Sequence, residues 1–176
     1  MKRKSAALGV VLLILCWAQG GFSQRLPQGK YHANRERSID ILHYRAELRF
    51  DFSDKTVFGK SDIRLVPLRS LDAFSLDAIH LQIQNVRSTG KAGVLKFREG
   101  DKKLSISLNR TVGVKDTLQL HIEYTARPKG GMYFRPDPEN AKLYYVTTYG
   151  EAGLHANWLP IYNDVNDKFS SEMLLE

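Results

Sequence analysis

The sequence predicts an all-β, antiparallel β-sandwich. From Ile39 onward, apolar residues recur at every second position, the spacing of a half-buried strand. Turn-forming Gly, Pro, Asn and Asp residues cut the following stretch into short segments, as sandwiches require. No stretch sustains a helical period. With 176 residues, 43% of them apolar, the chain has material for one core.

The first residues stand apart. Lys2, Arg3 and Lys4 precede an apolar run from Ala6 to Trp17, and Gly20, Gly21 and Ser23 follow. A positive start, a short apolar run and small residues make a secretory signal peptide over residues 1–23, cut after Ser23. An uncleaved membrane anchor is the alternative, and the run is short for one. Cleavage removes three positive charges and no acids, so the net charge falls from +7 to +4. The basic balance is therefore partly a targeting feature and implies no nucleic-acid partner. Cleavage also removes Cys16, the single cysteine, which excludes disulfides and thiolate chemistry from the mature chain. The expected location is secreted or periplasmic, with no membrane attachment once the leader is gone.

Residues 24–38 are polar and basic, with Pro27 and Gly29, and read as a linker. The β domain is expected over 39–176. Its first strand sets Leu42, Tyr44, Ala46, Leu48, Phe50 and Phe52 on one face, with His43, Arg45, Glu47, Arg49 and Asp51 on the other. Ser53-Asp54-Lys55 is a tight turn. Val57, Ser61, Ile63 and Leu65 then continue a hairpin that Pro67 ends. Arg35, Arg37, Arg45 and Arg49 are expected on a solvated face or in the linker. Further strands are predicted at 73–76, 79–86, 94–98, 104–108 and 117–125. Residues 127–140, with three Pro and two Gly, read as a turn-rich excursion. Leu143–Thr148 is a strand that delivers the chain to Tyr149-Gly150-Glu151. Ser170–Glu176 begins another alternating segment, with Met173 and Leu175 inward, and the domain reads as interrupted there.

Several chemistries are excluded. The histidines are His32, His43, His80, His121 and His155; no two lie within five residues, and His-Glu-x-x-His is missing. Gly-x-Ser-x-Gly and phosphate-cradling glycine loops are also missing. Glu151 is the candidate that remains. It follows a strand end and a glycine that lets the backbone turn. A carboxylate presented there can receive an ammonium group in a charge-assisted hydrogen bond worth roughly 1.5–3 kcal/mol. A solvated loop glutamate or a helix-cap partner is the simpler local reading. Trp158-Leu159-Pro160, with Tyr162, reads as an apolar plug, and Asn166-Asp167-Lys168 as a turn.

Taken together, Thr148, Gly150, Glu151, Trp158, Pro160, Tyr162, Asn166, Asp167, Lys168 and Glu172 resemble the aminopeptidase N family of zinc metallopeptidases. The match is to the end of that family's saddle-like N-terminal β domain, and the nine-residue step from Glu151 to Pro160 is retained. The resemblance implies that Glu151 binds the free α-amino group of a peptide substrate and that Tyr149 lines the first specificity pocket. It implies zinc on a separate catalytic domain, which would be this domain's partner within the same protein. Tyr149 stands where the family has Gln. Ala156, Ile161, Asn163 and Val165 replace its Arg, Cys, Asp and Pro. The expected function is the substrate-amine-recognising, non-catalytic portion of an exported aminopeptidase N-like enzyme. The alternative is a secreted β-sandwich that binds a protein or peptide partner without catalysis.

Overall fold

The computed structural model describes residues 35–89, 93–140 and 142–176. The predicted signal peptide, its cleavage point and most of the predicted linker lie outside these residues. Eleven strands are present among them: β1 Ile39–Asp51, β2 Thr56–Pro67, β3 Leu71–Asp77, β4 Gln82–Ser88, β5 Gly93–Val94, β6 Lys96–Glu99, β7 Lys103–Val112, β8 Leu118–Ala126, β9 Met132–Pro136, β10 Tyr144–Thr148 and β11 Ser170–Leu175. A 3-10 helix spans Glu151–Asn157.

The strands form a six-stranded sheet in the order β11-β1-β2-β8-β4-β5, a three-stranded sheet β3-β7-β6 and a β9-β10 ribbon. All pairs are antiparallel except β1 with β11. One apolar cluster joins the inner faces. Tyr44, Leu48, Ile63, Leu65, Leu120 and Ile122 come from the large sheet, Phe74, Leu76, Leu104 and Ile106 from the small one. Each such side chain stabilises the fold by about 1.5–3 kcal/mol, against about 0–1 for an exposed ion pair. Burial therefore dictates which face of each strand turns inward.

The β1–β2 hairpin forms as its alternation predicts. Asp51 accepts bonds from the backbone N–H (2.9 Å) and hydroxyl (2.6 Å) of Ser53, and Lys55 takes φ 57°. The predicted inner face of β1 needs one correction. The register slips between Ile41 and His43, so Ile39 and Ile41 are buried and Leu42 is 37% exposed. A β-bulge inserts one residue and reverses the facing of everything before it, which a period count running through Leu42 does not detect.

Four other expectations change. His80 has φ 56°, so the chain turns there and β4 begins at Gln82 instead of Ile79. The excursion over 127–140 contains β9, paired with β10 from Met132↔Thr148 to Pro136↔Tyr144; its prolines fall at and beyond the ribbon's end. Met173 and Leu175 share the face of Ala46 and Leu48 but remain 49% and 65% exposed, because β11 is an edge strand beyond the reach of the buried cluster. Arg35 and Arg37, in the lead-in, are half-buried and paired rather than freely solvated. Arg35 pairs with Asp77 at 2.6 Å and lies over the Tyr162 ring, and Arg37 pairs with the buried Asp167 at 2.9 Å. Arg45 and Arg49 do lie on the outer face, Arg45 in a ladder with Glu47, Asp62 and Glu172.

Gly59, in the middle of β2, faces the Tyr124 ring, and a Cβ there would lie 2.1 Å from Tyr124 Cζ. The strand conformation is open to any residue; the ring is what demands glycine. Gly59→Ala is expected to destabilise the domain by about 1–3 kcal/mol in urea unfolding. Gly113→Ala, with no atom within 4 Å of its Cβ, is expected to stay within about 0.5 kcal/mol of wild type. Equal effects at the two positions would refute this account of Gly59.

Candidate functional site

The site grows from the end of β10. The Tyr149 N–H donates to the Gly131 carbonyl at 2.8 Å, which extends the ribbon by one bond past Thr148. Gly150 then caps the 3-10 helix at φ −103°, ψ −6°, a conformation any residue adopts. The expectation that this glycine serves a sharp turn is therefore corrected. Its real constraint is His155, whose Cε1 lies 1.8 Å from where a Gly150 Cβ would be. Gly131 is the true backbone glycine: φ is +74° and the Leu154 carbonyl oxygen lies 2.5 Å from its ideal Cβ.

This mount presents the two predicted residues to solvent. Tyr149 is 52% exposed and Glu151, in the first turn of the helix, is exposed. No hydrogen bond or ion pair engages the Glu151 carboxylate among the described residues, whereas most other acids around the site are committed. The two side chains are thus brought together at one corner of the fold.

Behind them the plug forms as the apolar run predicts. Trp158, Leu159, Ile161 and Tyr162 are buried. The Tyr44 hydroxyl, from the middle of β1, bonds Ser61 at 2.7 Å and donates to the Pro160 carbonyl at 3.1 Å. Burial, with Tyr124 close by, raises its pKa well above the usual tyrosine value, so it stays a neutral donor. Residues 156, 161 and 163, which depart from the family pattern, are all in use. The Ala156 carbonyl accepts from the Ile79 N–H at 2.7 Å, Ile161 forms a β-bridge with Asp77, and Asn163 bonds both Asp77 and the Gly153 carbonyl. Val165 is exposed.

Two carboxylates hold the plug in place: Asp77, which sequence reasoning did not single out, and Asp167, which it read only as part of a turn and of the family pattern. Asp77, at the end of β3, accepts from Arg35, from Lys103 and from the Asn163 N–H (2.9 Å). Burial pushes its carboxyl up, but the bonds from Lys103, Asn163 and Arg35 outweigh this and hold it below the usual range. Asp167 accepts from Arg37 at 2.9 Å and from the Ile41 N–H at 3.2 Å, a backbone donor at the β1 bulge. Here burial wins over Ile41 and Arg37, aided by nearby Asp40, and the carboxyl is raised. Asp77 and Arg35 are 42 positions apart, Asp167 and Arg37 130, so no local pattern announces either pair.

Among the described residues, no group of three or more His, Cys, Asp or Glu side chains is placed to hold a metal ion. His121 lies between Asp62 and Glu123, and His43 bonds Ser170, both on the outer sheet face away from the plug.

The family model for the Peptidase M1 N-terminal domain matches residues 41–168. The chain belongs to the M1 peptidase family, as an M1 N-terminal domain. The M1 fold recurs in solved structures. Yeast LTA4 hydrolase in complex with bestatin matches with TM-score 0.68 and 19% identity, over 87% of this chain and 26% of that one. An M1 zinc metallopeptidase from Deinococcus radiodurans matches with TM-score 0.66 and 18% identity, over 81% and 33%. A mutant Deinococcus radiodurans M1 zinc metallopeptidase bound to a Tyr-Ser-Ala substrate gives 0.61 and 13%, over 82% and 34%. The M1 N-terminal domain described here spans about a quarter to a third of those chains. No curated protein sequence matches it.

The Asp77 network carries a pH dependence with a definite sign. Because its folded carboxyl is more acidic than the unfolded one, its contribution is complete above the unfolded value of about 3.9 and is lost as pH falls through the lower folded value. Asp77→Asn is expected to lose about 1–3 kcal/mol of stability at pH 7. It is also expected to show a shallower loss below about pH 4 than wild type. Urea midpoints at pH 7, 5 and 3 check both points; parallel curves for the two proteins would contradict the assignment.

Proposed function

We propose that this chain is the substrate-amine-recognising N-terminal portion of an exported M1 zinc aminopeptidase, and that it is not catalytic alone. The observation that carries the reading is the Glu151 carboxylate, exposed and without a hydrogen-bond or ion-pair partner among the described residues, on a mount fixed by the Tyr149–Gly131 bond and the buried plug. A rigid corner that presents one free carboxylate is suited to an ammonium donor, which offers three N–H groups to its two oxygens. In water such a contact is weak. Against a catalytic domain that closes over the corner, the lower dielectric strengthens it several-fold. Tyr149 then supplies an aromatic wall beside the substrate's first side chain, with a phenol in place of an amide.

The residues of this chain bind and orient; they do not activate water. The zinc carried by the metallopeptidase relatives supplies Lewis-acid chemistry where it is bound, and here it is assigned to the catalytic domain of the same protein. Export is supported by the charge and apolar pattern of residues 2–23, which also fits the lack of cysteine in the mature chain.

The test is made on the complete protein, this domain with its catalytic domain. Glu151→Gln keeps the shape and removes the charge. Its kcat/KM on an aminoacyl anilide is expected to fall by about 10–150-fold, the equivalent of one charge-assisted hydrogen bond. A change smaller than about twofold would remove Glu151 from substrate recognition. The 176-residue chain alone, free of contaminating peptidase, is expected to cleave nothing in a chelator-sensitive manner; such cleavage would overturn the non-catalytic assignment.

A further inference from the structure

Residue 150 has no side chain, yet its side-chain position is occupied. The His155 ring fills it: Cε1, Nε2 and Nδ1 lie 1.8, 2.2 and 2.7 Å from the ideal Gly150 Cβ. These are separations at which only a glycine leaves room for the ring. On its other side the imidazole packs against the buried Trp158, with ring centroids 5.6 Å apart and planes tilted by 59°. The ring is therefore wedged between the plug and the backbone of the residue that precedes Glu151.

His155 also closes the helix that Glu151 opens. Its carbonyl accepts the N–H groups of Trp158 (3.0 Å) and Leu159 (2.9 Å), so its backbone is fixed to the plug independently of its ring. The neighbouring Leu154 carbonyl packs on Gly131, whose own carbonyl receives the Tyr149 N–H. Tyr149-Gly150-Glu151 is thus held at Tyr149 by Gly131, just before β9, and at Gly150 by the His155 ring. Since the Gly150 backbone angles are open to any residue, the ring, which supplies the three atoms nearest the ideal Cβ, is what explains the glycine.

We propose that His155 is the positioning residue for Glu151: its imidazole stands in for the missing Gly150 side chain and locks the backbone that aims the carboxylate. The proposal rests on the amine-recognition reading of Glu151 and is tested so that the two can fail separately. A carboxylate aimed by a single packed ring loses its direction when the ring is removed, and misplacement of about 1 Å is enough to cost an enzyme much of its binding orientation.

The first measurement uses the chain itself. In 15N relaxation, the Gly150 and Glu151 amides of the His155→Ala variant are expected to fall from an order parameter of about 0.85 to below about 0.6, while the sheets keep theirs. His155→Phe, which keeps a flat ring in the wedge, is expected to hold the wild-type values. Gly150→Ala collides with the ring and is expected to loosen the same two amides; the Gly150→Ala, His155→Ala double variant, free of the collision, is expected to be no looser than His155→Ala alone. Unchanged order at Glu151 in His155→Ala overturns the proposal. So does global unfolding of both His155 variants, which would assign the ring to the fold.

The second measurement uses the complete protein. His155→Ala is expected to raise KM for an aminoacyl anilide by about 5–20-fold with kcat within about threefold, and His155→Phe to restore KM. If Glu151→Gln is harmful and His155→Ala is not, the positioning role falls and the amine reading stands. If Glu151→Gln is harmless, the amine reading falls, and the relaxation data alone decide whether His155 fixes the corner.

Discussion

The placement of the loop behind the corner depends on one carboxylate, Asp77. It sits where β3 ends, with its side chain 13% exposed, and three separate parts of the chain meet on it. Arg35 comes from the lead-in, Lys103 from the start of β7, Asn163 from beyond the plug, and Ile161 pairs with its backbone. An exposed pair such as Arg69 with Glu36 contributes little, because water competes for both partners. Asp77 is different. The bonds from Lys103, Asn163 and Arg35 together outweigh its desolvation, so removing a donor weakens that balance at a half-buried charge. That makes the arrangement specific as well as stabilising.

Asp167 does the same work at the other end of the loop. It answers the β1 bulge by accepting the Ile41 N–H, and it holds Arg37, which pairs with Asp40 as well. The loop from Trp158 to Asp167 is therefore stitched to the lead-in at one end and to the sandwich at the other. The Tyr44 hydroxyl adds a third bond at the Pro160 carbonyl. Stability resides in the apolar cluster between the sheets. Precision at the corner resides in these polar ties, although the Trp158 Nε1, Tyr162 hydroxyl and Asn166 Oδ1 of the same loop are buried without a hydrogen-bond partner among the described residues.

Of the acids from Glu151 to Glu172, Asp164, Asp167 and Glu172 have partners, and the Glu151 carboxylate has none among the described residues. A glutamate on a well-fixed turn keeps its charge and its direction without spending either on the fold. An amine-binding group requires that combination, since a carboxylate already paired within its own domain would have to break a bond before it received a substrate.

Much of the sandwich was legible in the residues. The alternation of β2 and β8, the turn at Ser53-Asp54-Lys55 and the plug at Trp158-Leu159-Pro160 all stand where hydrophobic period and turn chemistry place them. Those signals are local, and local geometry obeys them. The inner face of β1 before Leu42 was not legible, because a bulge resets the period without leaving a Gly or Pro to mark it. Strand β9 was hidden by its flanking prolines and glycines, which shape the ends of the ribbon and not its middle. The 3-10 helix is too short for a period to be read at all.

At the candidate site the division is sharper. Glu151 was singled out from its place after a strand end and a glycine, and Tyr149 by the family resemblance; their exposure at one corner is what the structure adds, and their role is the reading proposed above. What the sequence could not supply was the reason Gly150 is a glycine: the His155 ring, folded back across the helical turn onto its Cα. Nor could it supply the partners of Asp77 and Asp167. Strands and turns are decided by neighbours a few residues away, and the amino-acid order alone determines them. The aim of a side chain at the corner is decided by contacts across as many as 130 positions, and only the closed tertiary structure brings those residues together.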